Sequence, residues 1–332
     1  MRRSCAPLGV LLLVILALPA NAEAPAQPGA ASAPGASLVV DGALPSDAIG
    51  FQRAAADWSV PPSGQLQSDR AFPGFVGPIS NPVLSKDPRS LTEARFMFVN
   101  DSIPPDHPLR GGNFQVIGLQ VRVALTDRLS LTVDKGVYAW IHPGSGPEQD
   151  GFINIAAGLK YLLVRDVENQ FLWSAGFMYE PQTGEGSVFQ NQGHGVMTAF
   201  TTAGKQLADY YHVLGTFGYQ FPLDSNQNSS FFYTSLHLDR QVCGWLYPLI
   251  ELNWFHYAAG GDRGLPPALG EGDGLLNLGT SGVAGNDLVT LAAGLKAVVS
   301  EHLETGVAWE FPISNRKDLI DNRLTFELIL RY

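Results

Sequence analysis

Twelve residues of this chain could share one site: Arg122, Asp134, Lys160, Glu180, His212, His237, Glu251, Asn253, Lys296, Glu304, Glu310 and Glu327. Each stands in a stretch where branched apolar residues alternate with small or polar ones, and each falls on the polar side of the alternation. Lys205 and Asp239 belong to the same set. Gathered around one interior, such mixed charge does one of two things. It forms a solvated, ion-paired lining, or it forms a constriction that selects solutes by field and size. Lys296 and Glu304 flank a short turn and are expected to pair across it, as are Arg122 and Asp134 around residues 126–128.

Catalytic signals are sparse. The seven histidines are scattered, and no H-E-x-x-H, G-x-S-x-G or EF-hand loop occurs. Ser235 and His237 lie two apart on one strand face, a spacing that a lipid hydrolase could use but that strands produce freely. Asp262, Glu271 and Asp273 sit in a glycine-rich stretch and offer oxygen ligands for a calcium ion; a solvated outer loop is the plainer reading. The expectation is a protein that is not an enzyme, with no cofactor and no metal.

The elements that must position these side chains are strands. Residues 323–332 read Arg-Leu-Thr-Phe-Glu-Leu-Ile-Leu-Arg-Tyr, with Leu324, Phe326, Leu328, Leu330 and Tyr332 on one face and Thr325, Glu327, Ile329 and Arg331 on the other. The same period of two predicts twelve strands, over 91–99, 114–125, 129–140, 151–164, 171–180, 196–205, 210–221, 230–239, 245–257, 288–299, 302–311 and 323–332. In the second, Ile117, Leu119, Val121, Val123 and Leu125 oppose Gly118, Gln120, Arg122 and Ala124; in the fourth, Ile153, Ile155 and Leu159 oppose Asn154, Ala156 and Lys160. Connections alternate between short turns, such as 126–128 and 300–301, and long loops, such as 181–195 and 258–287. Bacterial barrels sort their loops in this way, whereas a soluble sandwich has no reason to. An even strand number places both ends of the barrel on the short-turn side, the periplasm.

Aromatic residues crowd strand ends (Tyr138 and Trp140, Phe171 and Trp173, Trp254 and Tyr257, Trp309 and Phe311, Tyr332), which suits two interfacial girdles. Lys135 falls on the apolar face near a strand end, where its stem would snorkel. The fold class is therefore all-β, an antiparallel up-and-down transmembrane barrel. Closure pairs every backbone group, as hydrocarbon demands.

Ahead of the barrel, Arg2, Arg3 and the apolar run 8–18 precede Ala20-Asn21-Ala22, a Sec leader over 1–22 cleaved after Ala22. Without it the chain keeps 19 basic residues against 31 acidic ones, which argues against nucleic acid as a partner. Cys243 alone cannot build a cysteine metal cluster. Residues 23–37 form an Ala/Pro-rich linker. Residues 38–90, broken by Pro61, Pro62, Pro73, Pro78, Pro82 and Pro88, form an irregular arm, in the periplasm or inserted as a plug. The barrel occupies 91–332.

The terminal strand resembles the closing signal of bacterial outer-membrane barrels, with outer-membrane lipid and barrel-assembly machinery as its partners. Gly158-Leu-Lys-Tyr-Leu-Leu, followed by Phe171-Leu-Trp-Ser-Ala-Gly-Phe-Met-Tyr-Glu-Pro-Gln-Thr-Gly-Glu, resembles the barrel family named for the MetA pathway of phenol degradation. That resemblance implies transport of small, often hydrophobic molecules and brings no catalytic residue with it. The expected function is a passive outer-membrane channel for a small molecule. The alternatives are a structural or binding barrel without transport and, more remotely, the lipid hydrolase.

Overall fold

The computed structural model describes residues 66–332. The leader, the linker and residues 38–65 of the arm lie outside the described residues. Fourteen strands follow in order: β1 (Glu93–Ser102), β2 (Gly112–Ala124), β3 (Leu129–Lys135), β4 (Val137–Pro143), β5 (Gln149–Phe152), β6 (Ile155–Asp166), β7 (Phe171–Glu180), β8 (Val196–Ala208), β9 (Tyr211–Pro222), β10 (Ser230–Arg240), β11 (Leu246–Ala259), β12 (Asp287–Val298), β13 (Leu303–Pro312) and β14 (Asn322–Arg331). Every strand pairing is antiparallel, and β1 pairs with β14 as well as with β2, from Glu93 opposite Arg331 to Ser102 opposite Asn322. The sheet thus closes on itself.

Two of the staves are broken. β2 pairs with β3 over Val121–Ala124 and with β4 over Gly112–Gly118, so β3 and β4 are halves of one stave. β5 and β6 are likewise two halves, paired with β4 and β3. The closed barrel has twelve staves, the number the alternation predicts. The break between β3 and β4 has a local cause. Lys135 (φ 58°) and Gly136 (φ 82°) are both left-handed, a conformation that glycine adopts freely and lysine adopts at a cost. A bulge of this kind shifts the side-chain alternation by one. Ser130, Thr132 and Asp134 are buried before it, and Ala139 and Ile141 after it.

This corrects the expectation for Lys135. Its side chain points inward, 3% exposed, and pairs with Glu180 at 2.7 Å. The same phase shift leaves Tyr138 and Trp140 on the outer face, where their rings lie 5.0 Å apart. A second break, at residues 153–154, turns Ile153 inward, against the expected outer placement. Tyr257 also leaves the expected girdle: it is buried inside, its hydroxyl donating to Gly272 O.

The two faces of the wall differ as the dyad requires. Phe96, Leu159, Trp309, Phe326 and Leu330 are each more than 40% exposed on the outside. An exposed apolar belt of this extent is costly in water and at home in hydrocarbon. Among the described residues no helix is long and apolar enough to cross a membrane; the crossing elements are the strands.

Candidate functional site

The interior is occupied by the chain itself. Residues 66–92 enter and leave at the short-turn end. Their base is fixed there by Ser68 N donating to Tyr332 O (3.0 Å), Asp69 N donating to Ser90 O (2.8 Å) and Arg165 pairing with Asp69 (2.9 Å). Phe72 and Phe75 then pack on Leu162, Leu172 and Leu214. The segment climbs to an apex near Asn81, which is left-handed (φ 48°) and whose carbonyl accepts from Ser85 N. It descends through Lys86, Pro88 and Arg89, and Ser90 Oγ reaches Thr126 O in the β2–β3 turn. Four prolines, at 73, 78, 82 and 88, keep it from joining the sheet, because each lacks an N–H donor and fixes φ.

The wall holds this segment mostly by its main chain. Glu251 accepts from Ile79 N (2.8 Å) and Ser80 N (2.6 Å). Lys296 donates to Gly77 O (2.7 Å), Arg95 to Pro78 O (3.0 Å), Gln120 to Pro82 O (2.7 Å) and Ser174 to Pro88 O (2.6 Å). Lys160 donates to the carbonyls of Asp87 and Arg89. Side-chain contacts are fewer: Lys86 with Asp134, and Asn81 with Ser235.

All twelve candidate residues lie on the inner wall and are at most 8% exposed. They fall into groups by height. At the short-turn end Arg122 pairs with Glu93 (2.7 Å), and Arg331 bridges Glu93 (2.8 Å) and Glu304 (2.5 Å). Higher up, Glu327 takes both Arg95 and Lys296, each at 2.5 Å. Across β9, β10 and β11 runs a buried chain: His212 to Asp239 (2.8 Å), Asp239 to His237 (3.1 Å), His237 to Glu251 (2.6 Å). At the long-loop end Glu310 accepts from Thr290 (2.5 Å) and Asn253 (2.9 Å) and lies 3.5 Å from Arg323. Arg323 pairs mainly with Asp101 (2.5 Å) and Asp273.

The two pairings expected across short turns do not form. Lys296 goes to Glu327, and Glu304 to Arg331; Arg122 goes to Glu93, and Asp134 to Lys86. In each case the partner comes from another strand or from the luminal segment instead of from across the turn. Glu93, Arg95, Asp101, Arg323 and Arg331 are inner-wall groups absent from the candidate set, although odd numbering along β1 and β14 marks every one of them. Both ring nitrogens of His237 are committed to carboxylates, and Ser235 is bonded to Asn81, so nothing couples the two as a nucleophile and its base.

The longest loop folds into the opposite mouth. Leu275, Leu276, Leu278 and Val283 join Val83, Leu84, Phe231 and Tyr257 in one buried apolar cluster. Gly274 (φ 99°) lies against the segment's apex, where a Cβ would come within 2.7 Å of Leu84. Glu271 is buried and accepts from Ser229 Oγ and from the amides of Gly272, Leu278 and Thr280; burial nevertheless raises its pKa. Asp318, in the loop before β14, is raised for the same reason. The acidic residues considered for calcium do not meet: Glu271 is engaged as just described, Asp273 pairs with Arg323, and Asp262 is exposed. Among the described residues no three acidic, His or Cys groups converge as a metal site.

No family model and no curated protein matches the chain. Among solved structures, the COG4313 outer membrane channel from Pseudomonas putida F1 superposes with a TM-score of 0.53 at 12% identity, over 78% of this chain and 100% of that one. The fold is that of an outer-membrane barrel. Two porins give lower scores: KdgM, 0.43 at 10% identity over 72% of this chain and 99% of its own, and NanC, 0.44 at 6% over 73% and 98%. In an outer-membrane barrel the polar face of each strand lines the lumen, so the candidate residues are luminal. Here that lumen already holds residues 66–92.

Proposed function

We propose that the chain is an outer-membrane channel for a small solute, drawn here with its lumen closed by its own residues 66–92. The carrying observation is that this segment enters and leaves by one end, so it can withdraw without threading through the barrel. The short-turn end faces the periplasm in this reading, and the Sec leader and assembly machinery deliver the barrel to the outer membrane. A wall built of Arg95, Lys160, Glu251, Lys296 and Glu327 favours a polar solute over a hydrophobic one. Kinship with the MetA-pathway barrels rests on residues 158–163 and 171–185.

Single-channel recording in planar bilayers tests the reading. The intact protein should be mostly closed. K86A/R89A removes the segment's ion pair with Asp134 and, at Arg89, the bonds to Asp87 and Phe75 O that brace the segment against itself, and leaves the wall unchanged. It should give discrete openings. A folded, heat-modifiable K86A/R89A barrel that never conducts would refute the channel reading. It would favour instead a barrel that serves a structural or binding role, which the filled lumen also suits.

A further inference from the structure

We infer that the lumen is a binding site for an irregular peptide that turns back on itself, and that residues 77–90 are its resident occupant. The inference deepens the channel reading and rests on it for the route of entry. Three observations carry it.

First, the wall addresses groups that any peptide has. Donors from four different strands meet carbonyls spread along the segment: Lys296 at Gly77, Arg95 at Pro78, Gln120 at Pro82 and Ser174 at Pro88. Glu251 meets two adjacent amides, Ile79 and Ser80, with one oxygen each. Adjacent amides held by one carboxylate fix an orientation of the chain, and charge-assisted bonds are the strong ones.

Second, all three proline carbonyls between residues 77 and 90 are taken by wall side chains. A segment with missing amides offers an excess of acceptors, and a wall rich in Arg, Lys, Gln and Ser supplies the donors. The donor set matches a proline-containing, irregular chain better than a regular helix, whose carbonyls are already engaged.

Third, the resident segment does not use every acceptor of the wall. Among the described residues, Asp134 Oδ1, Gln220 Oε1 and Asn253 Oδ1 are buried without a hydrogen-bond partner. Asp134 and Gln220 line one small cavity beside Lys86, together with Glu180 and Thr198. Arg95 Nε, Ser130 Oγ and Tyr233 Oη are left without a partner as well, so groups of both kinds remain for a ligand with more hydrogen-bonding capacity than residues 77–90 offer. Buried polar atoms without partners are rare enough to call for an explanation.

The probe is the nonapeptide Gly-Pro-Ile-Ser-Asn-Pro-Val-Leu-Ser, residues 77–85, capped at its carboxyl end and labelled at its amino end. Fluorescence anisotropy should detect it binding full-length K86A/R89A in detergent. A shuffled peptide of the same composition should bind within about threefold, because recognition is through the main chain. An oligosaccharide of equal mass should bind at least tenfold more weakly, and adding E251Q should weaken the peptide at least tenfold. If the variant conducts but binds no peptide, or binds peptide and oligosaccharide alike, the inference is overturned and the channel reading stands. If it binds peptide but does not conduct, the inference stands and the channel reading falls. The unaltered protein gives a second readout that does not depend on the variant. Lys86 and Arg89 are trypsin sites, 4% and 3% exposed. Excess unlabelled nonapeptide, which has no trypsin site, should displace the segment and speed cleavage there. An unchanged rate overturns the inference.

Discussion

Residues 66–92 and the loop 260–286 meet inside the barrel at Leu84 and Gly274, yet the wall grips them by different chemistry. The inner segment is held mostly through hydrogen bonds from charged and polar side chains to its backbone, with Phe72, Phe75 and Ile79 packed on apolar wall residues at a few points. The outer loop is held through an apolar cluster and two buried carboxylates, Glu271 and Asp273. Water or a polar ligand can replace the main-chain bonds of the inner segment, at a net cost of about 1–3 kcal/mol each, whereas nothing in water replaces the apolar cluster that holds the outer loop. More of the inner closure than of the outer one can therefore exchange partners.

The comparison can be broken most forcefully at Arg323. It neutralises Asp101, Asp273 and Glu310 together, and Arg323→Met leaves three buried carboxylates without a cation. Breaking such a pair costs about 3–5 kcal/mol. The temperature of the heat-dependent gel shift should drop sharply; an unchanged transition would mean that the loop is not anchored there. Next comes Leu84→Ala, which truncates the side chain shared by both closures. A loss of about 3 kcal/mol is expected, with faster amide exchange at Leu275 and Leu276 as well as at Ile79. Exchange that quickens in the inner segment alone would show that the two closures are independent.

Glu251→Gln is milder. One amide oxygen then serves where two carboxylate oxygens did, and the charged acceptor is lost for Ile79 or Ser80. About 2 kcal/mol of segment binding should go, seen as faster tryptic nicking at Lys86 and Arg89, with the outer loop undisturbed. The smallest effect is that of pH. Burial raises Glu271 and Asp318 above their ordinary values of 4.5 and 3.8. Both therefore hold more protons in the packed loop than in a released one. Their contribution to closure is complete below those ordinary values and is lost as pH rises through the raised ones. Hydrogen exchange at residues 271–280 should accelerate with pH beyond its intrinsic dependence, and Glu271→Gln should flatten the excess.

Much of this barrel was legible in the chain. Alternation such as that of residues 324–332 fixes which side chains face lipid, because a strand has a period of two and hydrocarbon tolerates few exceptions. Legibility failed where the period slipped. Lys135 and Gly136 both take positive φ, and nothing in Val-Asp-Lys-Gly-Val announces that two consecutive residues will do so. It failed again for partners. Lys296 is paired with Glu327, and Ile79 with Glu251, 172 residues away, so neither is a matter of local spacing. The prolines of residues 73–88 announced that the arm would be irregular. They did not say where it would lie, because its partners are spread over ten strands.

The seam between β1 and β14 has a consequence for how the barrel forms. Tyr332 is bonded through its carbonyl to Ser68 and through its amide to Thr92, so the luminal segment and the closing strand share an attachment. Glu93 and Arg331, which pair across the seam, stand 238 residues apart, a long loop to close before any contact rewards it. Until the circle is complete, Glu251, Lys160 and Lys296 do not surround a common axis, and the segment has no set of partners to bind. Once it is complete they act together. The full set of partners exists only in the finished barrel, so the bound segment favours the closed circle over an open sheet.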